Sequence, residues 1–216
     1  MVHGFRGDHH GMDLIAGDIR GREVIVPDLP GFGRTPPLES GSGLESFVEY
    51  LLALHAEITR LRQTVPIMVG HSFGSIIVSH LAAAHPEEVP ELVLINPITT
   101  PALEGSARFL TALTRIYYSL GAWLPERPGR ALLGNRLIVR AMSEVMATPA
   151  DRGLRRYVHD QHAQHFSSFS DRKSLAEAFA TSVEHTVTEV AADLSMPTLV
   201  IAGDRDTIAP IGPTRA

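Results

Sequence analysis

The chain has 216 residues and a net charge of −5, with 44% apolar and 20% charged residues, and no cysteine. This composition is typical of a globular domain with its own hydrophobic core, and it excludes disulfides, thiolate metal sites and a cysteine nucleophile. The negative charge gives no general attraction to nucleic acid or to an anionic membrane surface.

Nothing in the sequence has the pattern of a membrane or export segment. No apolar run approaches the ~18 residues of a membrane-spanning helix, and residues 1–8 do not combine a basic stretch with an apolar one, as a signal peptide would. We therefore expect a cytoplasmic protein without stable membrane association.

Four short apolar runs are predicted as strands. Each is nearly continuous in apolar, often β-branched residues, which is typical of a strand covered by helices on both faces. They lie at residues 23–27, 66–70, 91–97 and 197–203. Apolar residues at helical spacing predict helices at residues 44–62 and 73–85. Alternating strands and helices predict an α/β fold with a mostly parallel sheet flanked by helices.

Residues 98–194 interrupt this alternation and contain no convincing strand. We expect four helices there, at residues 107–124, 130–146, 151–166 and 171–190, forming a helical lid between core residues 1–97 and 195–216. Because ligand pockets are mostly apolar, some lid side chains should line one. The candidates are Leu110, Leu113, Tyr117 and Trp123. The alternative is that these side chains only pack the lid onto the core.

The sequence Gly70-His71-Ser72-Phe73-Gly74 matches the pattern G-x-S-x-G. It lies directly after a predicted strand and before a predicted helix, which is the context this pattern requires. In such a turn the serine hydroxyl is presented at the end of the strand, and the following backbone N–H groups point to the same place. Ser72 is therefore predicted to be a catalytic nucleophile.

Several segments, in this order, resemble the α/β-hydrolase-fold serine hydrolases, in particular the lidded esterase and carbon–carbon hydrolase branch. Residues 3–7 (HGFRG) resemble the oxyanion loop after the third strand, and residues 27–34 resemble the loop after the fourth. Residues 70–75 match the nucleophile turn and residues 197–206 the acid turn. The resemblance implies that the backbone N–H groups of Phe5 and Phe73 form the oxyanion hole.

The candidates for the acid are Asp204 and Asp206, which both follow the last predicted strand. In the family the residue three after the glycine has this role, which selects Asp206 over Asp204. Its carboxylate would orient a histidine and stabilise the imidazolium. Asn96 follows the preceding strand, where some relatives carry their acid, but an amide lacks the charge for that role.

The histidine base is missing from the expected place. In this fold it follows the acid in the chain, and residues 207–216 contain no histidine. Met1 and Val2 are all that remain of the third strand, so the strand at residues 23–27 lacks a neighbour through which to join the sheet. We therefore expect these residues to be an internal piece of a longer protein.

The remaining histidines do not predict a metal site. His9 and His10 are adjacent, and His159, His162 and His165 recur at a spacing of three, but no H-E-x-x-H pattern accompanies them. A polar helix face is the preferred interpretation of the trio. His71 lies within the turn and cannot be the base for the adjacent serine, and His85 is expected to end a helix before Pro86.

The resemblance implies cofactor-independent hydrolysis of a carboxylic ester, or a related carbonyl, of a small to medium apolar substrate through an acyl-enzyme. Three alternatives stay open. The first is hydrolytic carbon–carbon cleavage, which uses the same fold. The second is that the chain as given is a catalytically inactive or ligand-binding remnant. The third is a metal-dependent hydrolase that uses the histidine trio. The sequence does not determine the oligomeric state or the substrate.

Overall fold

The computed structural model describes residues 1–100, 108–147, 151–167, 169–204, 206 and 209. Its centre is a parallel sheet of three strands: β1 (Met68–His71), β2 (Leu92–Ile95) and β3 (Thr198–Ile201). The strands lie in the order β1-β2-β3, with Gly70 opposite Leu94 and Leu94 opposite Val200. All carboxyl ends therefore meet at one edge of the sheet. The predicted α/β class with a parallel sheet is confirmed.

Three helices precede the second strand: α1 (Asp13–Asp18), α2 (Leu44–Arg62) and α3 (Phe73–Ala84). The bounds of α2 are those predicted from its apolar spacing, and α3 ends at the C-cap residue His85 as expected. The main core lies where α2 and α3 pack on each other and on the sheet. Its fully buried side chains include Phe47, Leu51, Ile76, Ile77, Leu81, Leu92 and Leu94.

The prediction of a strand at residues 23–27 is wrong. The structure assigns no strand there, and the N-terminal ammonium of Met1 donates a 2.7 Å hydrogen bond to the carbonyl of Ile25. Val2, the next residue, forms a parallel bridge with Gly70 of β1. A strand requires a ladder of such bonds to a neighbour, and here Met1 gives Ile25 one hydrogen bond while Val2 forms one bridge, of two hydrogen bonds, with β1. Residues 23–27 therefore lie beside Met1 but are not a strand of the sheet.

The strand predicted at residues 197–203 is present as β3, but its predicted burial is wrong. Leu199, Val200 and Ile201 are 57%, 44% and 48% exposed. Among the described strands β3 is at the edge of the sheet, paired on one side with β2. Apolar composition predicts that a strand forms. Its burial depends on which other elements cover the two faces.

A helical insertion, residues 108–184, separates β2 from β3, and its described residues form five α-helices. They are α4 (Arg108–Trp123), α5 (Glu126–Leu133), α6 (Arg136–Met146), α7 (Arg152–His165) and α8 (Arg172–Glu184). The residues of the helix predicted at 130–146 therefore belong to two helices, and residues 126–129, which lie between two of the predicted helices, are helical. Pro128 is tolerated because it lies in the first turn, where a backbone N–H has no intrahelical acceptor. Asn135 caps α6 by accepting from the N–H groups of Leu137 and Ile138.

The other helices of the insertion begin close to the predicted positions. Asp151 and Asp171 cap α7 and α8 through side-chain hydrogen bonds to the N–H groups of Leu154 and Ser174. The last helix is shorter than predicted, since α8 ends at Glu184 and a 3-10 helix follows at Val187–Glu189. In the described part of the chain, none of the helices has the length and apolar character needed to cross a bilayer.

Candidate active site

Ser72 lies in the one-residue turn between β1 and α3. Its backbone has φ 53° and ψ −119°, a conformation that L-residues rarely adopt. The turn is held because the N–H of Ser72 donates to the carbonyl of Ile95 (3.0 Å), and its own carbonyl accepts from the N–H of Ser75 (2.8 Å). The hydroxyl of Ser75 donates to the same carbonyl at 2.5 Å. Ser72 itself is half-buried at the carboxyl edge of the sheet.

Two glycines allow this turn to form. A Cβ added to Gly70 would collide with the side chain of Val78 and the carbonyl of Gly74. A Cβ added to Gly74 would collide with the carbonyl oxygens of Val2 and His3. Close packing therefore requires a glycine on each side of Ser72, and the second collision shows how closely the N-terminal segment approaches the turn.

The N-terminal segment is anchored to β1 and placed beside Ser72. The N–H of Val2 donates to the carbonyl of Val69 (2.7 Å), and the carbonyl of Val2 accepts from the N–H of His71 (3.0 Å). Gly4 follows, and a Cβ at this position would lie 3.6 Å from the Oγ of Ser72. The segment predicted as an oxyanion loop therefore lies directly against the predicted nucleophile.

The side chain of His3 connects this loop to the backbone of Leu29. The ring is buried, its Nδ1 lies 2.9 Å from the carbonyl of Gly4, and its Nε2 accepts from the N–H of Leu29 at 2.9 Å. Burial lowers the pKa of His3, which favours the neutral imidazole. A neutral ring donates from one nitrogen and accepts at the other, as this arrangement requires.

The two predicted oxyanion donors have no competing acceptor. Among the described residues, neither the N–H of Phe5 nor that of Phe73 donates a hydrogen bond to a protein group. Phe73 is the first residue of α3, where an N–H group points out of the helix and the helix dipole favours negative charge. Both groups are thus available to an anion at the end of β1.

Aromatic side chains hold Phe5 in place. Its ring makes edge-on contacts with Phe73 (6.3 Å between ring centroids) and Tyr118 (5.5 Å), and a tilted contact with Phe179 (5.6 Å). Tyr118 stacks on Phe179 at 4.4 Å. Since Tyr118 lies on α4 and Phe179 on α8, the helical insertion packs directly on the loop that carries Phe5.

Arg6 attaches the same loop to the insertion and was not identified from the sequence. Its buried guanidinium donates to the carbonyls of Phe166 (2.9 Å) and Leu133 (2.7 Å) and to the hydroxyl of Tyr118 (3.1 Å). In the described part of the chain, no carboxylate forms an ion pair with it. Arg6 has φ 60°, so the loop turns sharply at this residue. The motif HGFRG contains the arginine, but no local pattern indicates these distant acceptors.

Asp206 is held by Asn96 at the ends of β3 and β2. The amide nitrogen of Asn96 donates to Oδ2 of Asp206 (2.7 Å), and its amide oxygen accepts from the N–H of Gly203 (2.9 Å). The N–H of Ala209 donates to Oδ1 of Asp206 at 2.9 Å. Asp204 is exposed. From the sequence Asn96 is only a poor substitute for an acid, and no local pattern indicates this positioning contact with Asp206.

No histidine of this chain is placed as the base. All eleven histidines lie in the described residues, and none of them hydrogen-bonds to the hydroxyl of Ser72. His71, the residue before Ser72, makes no such bond either. Burial lowers the pKa of its ring, an effect that the nearby charge of Asp206 opposes. The structure thus places Ser72 beside Gly4 and directly before α3, and it places Asp206 at the same edge of the sheet.

The predicted pocket residues do not form an enclosed pocket in the described part of the chain. Leu113 is 53% and Trp123 is 81% exposed to solvent. The hydroxyl of Tyr117 donates to the carbonyls of Leu132 and Leu133 (3.1 and 3.2 Å), which gives this residue a structural contact within the insertion. The side chain of Leu110 lies outside the described residues. Tyr118 and Phe179, rather than these residues, contact Phe5.

The prediction that the histidine trio forms a polar helix face is wrong. His159 is buried, and its Nδ1 lies 2.6 Å from the hydroxyl of Ser143 on α6. His162 Nδ1 lies 2.8 Å from the same hydroxyl. His165 instead contacts Asp8 near the N-terminus, with 3.3 Å between Nδ1 and Oδ2. The spacing of three therefore directs these side chains to two different neighbours.

Comparison with known proteins agrees with this geometry. A family profile described as "alpha/beta hydrolase fold" matches residues 1–214. The chain belongs to the α/β hydrolase fold family. The strained serine between a parallel strand and a helix is consistent with this membership.

Individual α/β hydrolases resemble the chain over most of its length. Lipase 1 of Psychrobacter immobilis is 29% identical over 220 residues, covering 96% of this chain and 62% of the lipase. A pimeloyl-[acyl-carrier protein] methyl ester esterase of Chromobacterium violaceum is 27% identical over 217 residues, covering 100% of this chain and 78% of the esterase. The chain thus spans just under two thirds of the length of that lipase.

Solved structures of α/β hydrolases have the same fold. A thermophilic esterase from Thermogutta terrifontis, determined with bound malate, superposes with a TM-score of 0.76 at 23% identity. The alignment covers 99% of this chain and 74% of the esterase chain. At this identity the match supports the fold, including the helices that flank the parallel sheet.

Proposed function

We propose that the chain forms the nucleophile-bearing part of a serine esterase that cleaves carboxylic esters of small to medium apolar substrates through an acyl-enzyme. The observation that carries the proposal is the position of Ser72. Its hydroxyl lies in a strained turn at the end of β1, beside Gly4, with the N–H groups of Phe5 and Phe73 available nearby. A structural serine has no need of this conformation.

In the proposed reaction, Oγ of Ser72 attacks the ester carbonyl carbon and its proton passes to a histidine. The carbonyl oxygen becomes an oxyanion, which the N–H groups of Phe5 and Phe73 stabilise; one such donor is typically worth about 3–4 kcal/mol. Collapse breaks the ester C–O bond, and the alcohol leaves with a proton from the histidinium. Water then attacks the acyl-enzyme by the same steps and releases the carboxylic acid.

The histidine would be oriented by Asp206, whose own position depends on Asn96. None of the histidines in this sequence contacts Ser72, so the proposal assigns the base to a residue outside these 216. The helical insertion is proposed to act as the lid. Its residues Tyr118 and Phe179 already contact the loop that carries Phe5, and this aromatic surface favours an apolar acyl group.

The proposal is tested with a fluorophosphonate probe, which forms a covalent bond with an activated serine, on the full-length protein. We expect labelling that Ser72→Ala abolishes and that the matched control Ser46→Ala, on the surface helix α2, leaves unchanged. A panel of p-nitrophenyl esters of increasing chain length and a β-diketone then compares ester with carbon–carbon cleavage. A folded full-length protein that is not labelled would favour the inactive, ligand-binding alternative.

A second candidate function is supported by a basic groove on the insertion. Arg140, Arg152, Arg155 and Arg156 line it together with Glu144 and Asp160. Arg140 is paired with Glu144, whereas the arginines of α7 give the groove its positive charge. Such a surface favours an anionic partner, and one relative is named for an acyl chain on a carrier protein. The candidate is therefore a methyl esterase of carrier-bound acyl chains.

This second candidate predicts a specific preference. The full-length protein should hydrolyse a methyl ester on an acyl carrier protein faster than the same ester on a short thiol. The double variant Arg155→Glu/Arg156→Glu should remove that preference and leave hydrolysis of the free ester unchanged. Equal rates on both substrates in the unmodified protein would leave the general esterase as the proposed function.

A further inference from the structure

We propose that Asp8, His10 and His165 form a binding site for a divalent metal ion of the Zn²⁺ type, which joins the loop carrying Phe5 to the helical insertion. The site lies apart from the proposed catalytic residues and takes no part in the proposed reaction. The inference is independent of the esterase proposal, since it concerns binding and stability.

The three side chains already converge. Nδ1 of His10 lies 3.0 Å from Oδ1 of Asp8, and Nδ1 of His165 lies 3.3 Å from Oδ2 of the same carboxylate. All three ligand atoms lie within 4.8 Å of one another. In a tetrahedral zinc site with bonds of about 2.0–2.2 Å, neighbouring ligand atoms are roughly 3.4 Å apart. Each histidine nitrogen is thus at about this distance from one of the two carboxylate oxygens of Asp8.

The charge of the cluster also favours a cation. The side chain of Asp8 is 5% exposed, and its ion-pair contacts within the described residues are with His10 and His165. No lysine or arginine of the described residues pairs with it. A buried carboxylate needs a compensating positive charge, and a histidine supplies one only when protonated. A divalent ion supplies the charge and leaves both rings neutral.

The types of ligand indicate the class of metal. Two imidazole nitrogens and one carboxylate oxygen suit Zn²⁺ and related transition metals, whereas Ca²⁺ and Mg²⁺ prefer oxygen ligands alone. The adjacent His9 is engaged elsewhere, since its Nδ1 lies 2.8 Å from Oδ1 of Asp28. The fourth position of the ion is thus assigned to water.

The site is built by contacts that the fold makes in any case. His165 is the last residue of α7, and the carbonyl of the next residue, Phe166, accepts from Nε of Arg6 at 2.9 Å. Arg6 and Asp8, two residues apart, therefore face two adjacent residues of the insertion. The rings of His10 and His165 stack at 4.0 Å between centroids. Since nearly parallel stacked rings direct their nitrogen lone pairs side by side, at least one of the two rings turns when both bind the same ion.

A second convergence, of His80, His185 and Glu189, is a weaker candidate and serves as a control. Glu189 is 39% exposed in its side chain. It is also engaged in the capping box of a 3-10 helix, where Oε1 accepts from the N–H of Thr186 at 2.6 Å. This cluster also joins distant segments, since His80 lies on α3, and it differs from the first in the greater exposure of its carboxylate.

The test is titration of chelator-treated, tag-free full-length protein with ZnCl₂, followed by calorimetry. We expect one site whose affinity falls at least about tenfold in His10→Gln, His165→Gln and Asp8→Asn. His185→Gln is the matched control and should leave the affinity unchanged. Zn²⁺ should also slow amide hydrogen exchange at residues 3–12 and 160–166. Circular dichroism of each variant verifies that it is folded.

The unmodified protein provides a second measurement that does not depend on the variants. In ¹⁵N-histidine NMR, one equivalent of Zn²⁺ should shift the ring nitrogens of two histidines, and Co²⁺ should give the visible absorption of a four-coordinate site. Absence of saturable binding, or a site that His185→Gln removes and His165→Gln does not, would overturn the proposal.

Discussion

The side-chain amide of Asn96 donates a 2.7 Å hydrogen bond to the carboxylate of Asp206, across the ends of two neighbouring strands. The same amide accepts from the N–H of Gly203, at the start of the turn that contains Asp206. Asn96 has φ 45°, a conformation that asparagine adopts more readily than most residues. It therefore acts as a positioning residue for the proposed acid.

Replacing Asn96 should loosen the acid turn. We expect Asn96→Ala to lower the free energy of unfolding by about 1–3 kcal/mol, because the N–H of Gly203 and the carboxylate both lose a partner. In the full-length protein kcat should fall while KM changes little, since orientation of the base is disturbed and substrate contacts are not. Urea denaturation and ester hydrolysis measure the two effects.

Asn96→Gly is the matched control, because it removes the amide but tolerates the positive φ. It should be more stable than Asn96→Ala by about 1 kcal/mol and have the same low kcat. If Asn96→Gly kept the original kcat, the amide would have only a conformational role.

The strained backbone at Ser72 should cost stability. Ser72→Gly relieves a conformation that typically costs about 1–3 kcal/mol, which more than offsets the entropy that glycine loses on folding. We therefore expect Ser72→Gly to be about 1 kcal/mol more stable than Ser72→Ala, and both to be inactive. Equal unfolding free energies of the two variants would indicate that the turn is unstrained.

Because Gly74 lies so close to the N-terminal segment, this position should not tolerate a larger residue. A Cβ there would collide with the carbonyl oxygens of Val2 and His3, which are backbone atoms and cannot rotate away. Gly74→Ala should cost at least about 2 kcal/mol and displace the loop carrying Phe5. Gly17→Ala in α1, where nothing lies within 4 Å, is the control and should be neutral or slightly stabilising. Thermal unfolding compares them.

Substitution of Arg6 should lower the stability of the protein more than its lack of an acidic partner among the described residues suggests. Arg6→Lys retains the charge but cannot reach the carbonyls of Phe166 and Leu133 and the hydroxyl of Tyr118 together. We expect a loss of about 2–4 kcal/mol, with faster hydrogen exchange at residues 3–8. An exchange rate unchanged by this substitution would show that the aromatic contacts of Phe5 hold the loop without Arg6.

The free energy of unfolding should decrease as the pH falls, in part because of His162. Burial lowers its pKa from 6.5 to about 4, and the nearby His159 adds to the effect. Because the unfolded chain binds this proton first, the contribution of His162 is complete above pH 6.5 and is lost as the pH falls towards 4. His162→Gln should therefore flatten the pH dependence of the urea midpoint in this range. His85→Gln, at the end of α3, should leave it unchanged.

Local features of the sequence were sufficient for the elements near Ser72. The apolar spacing predicts α2 with its observed bounds, and the pattern of residues 70–74 predicts the turn, because both depend on sterics within a few residues. The position of Asp206 at the sheet edge also follows, since parallel strands place their carboxyl ends together.

Contacts between distant segments decided the rest. Residues 23–27 have the composition of a strand but lack a full ladder partner, and β3 is apolar yet exposed, because pairing and burial depend on the neighbours of a segment. The same applies to the side chains around the site. Arg6 and Asp8 meet residues 165 and 166 only because packing of the insertion on the N-terminal loop brings them together. The sequence by itself determined the fold and the turn around Ser72, through short-range sterics and periodicity, whereas the tertiary structure decided which distant side chains meet.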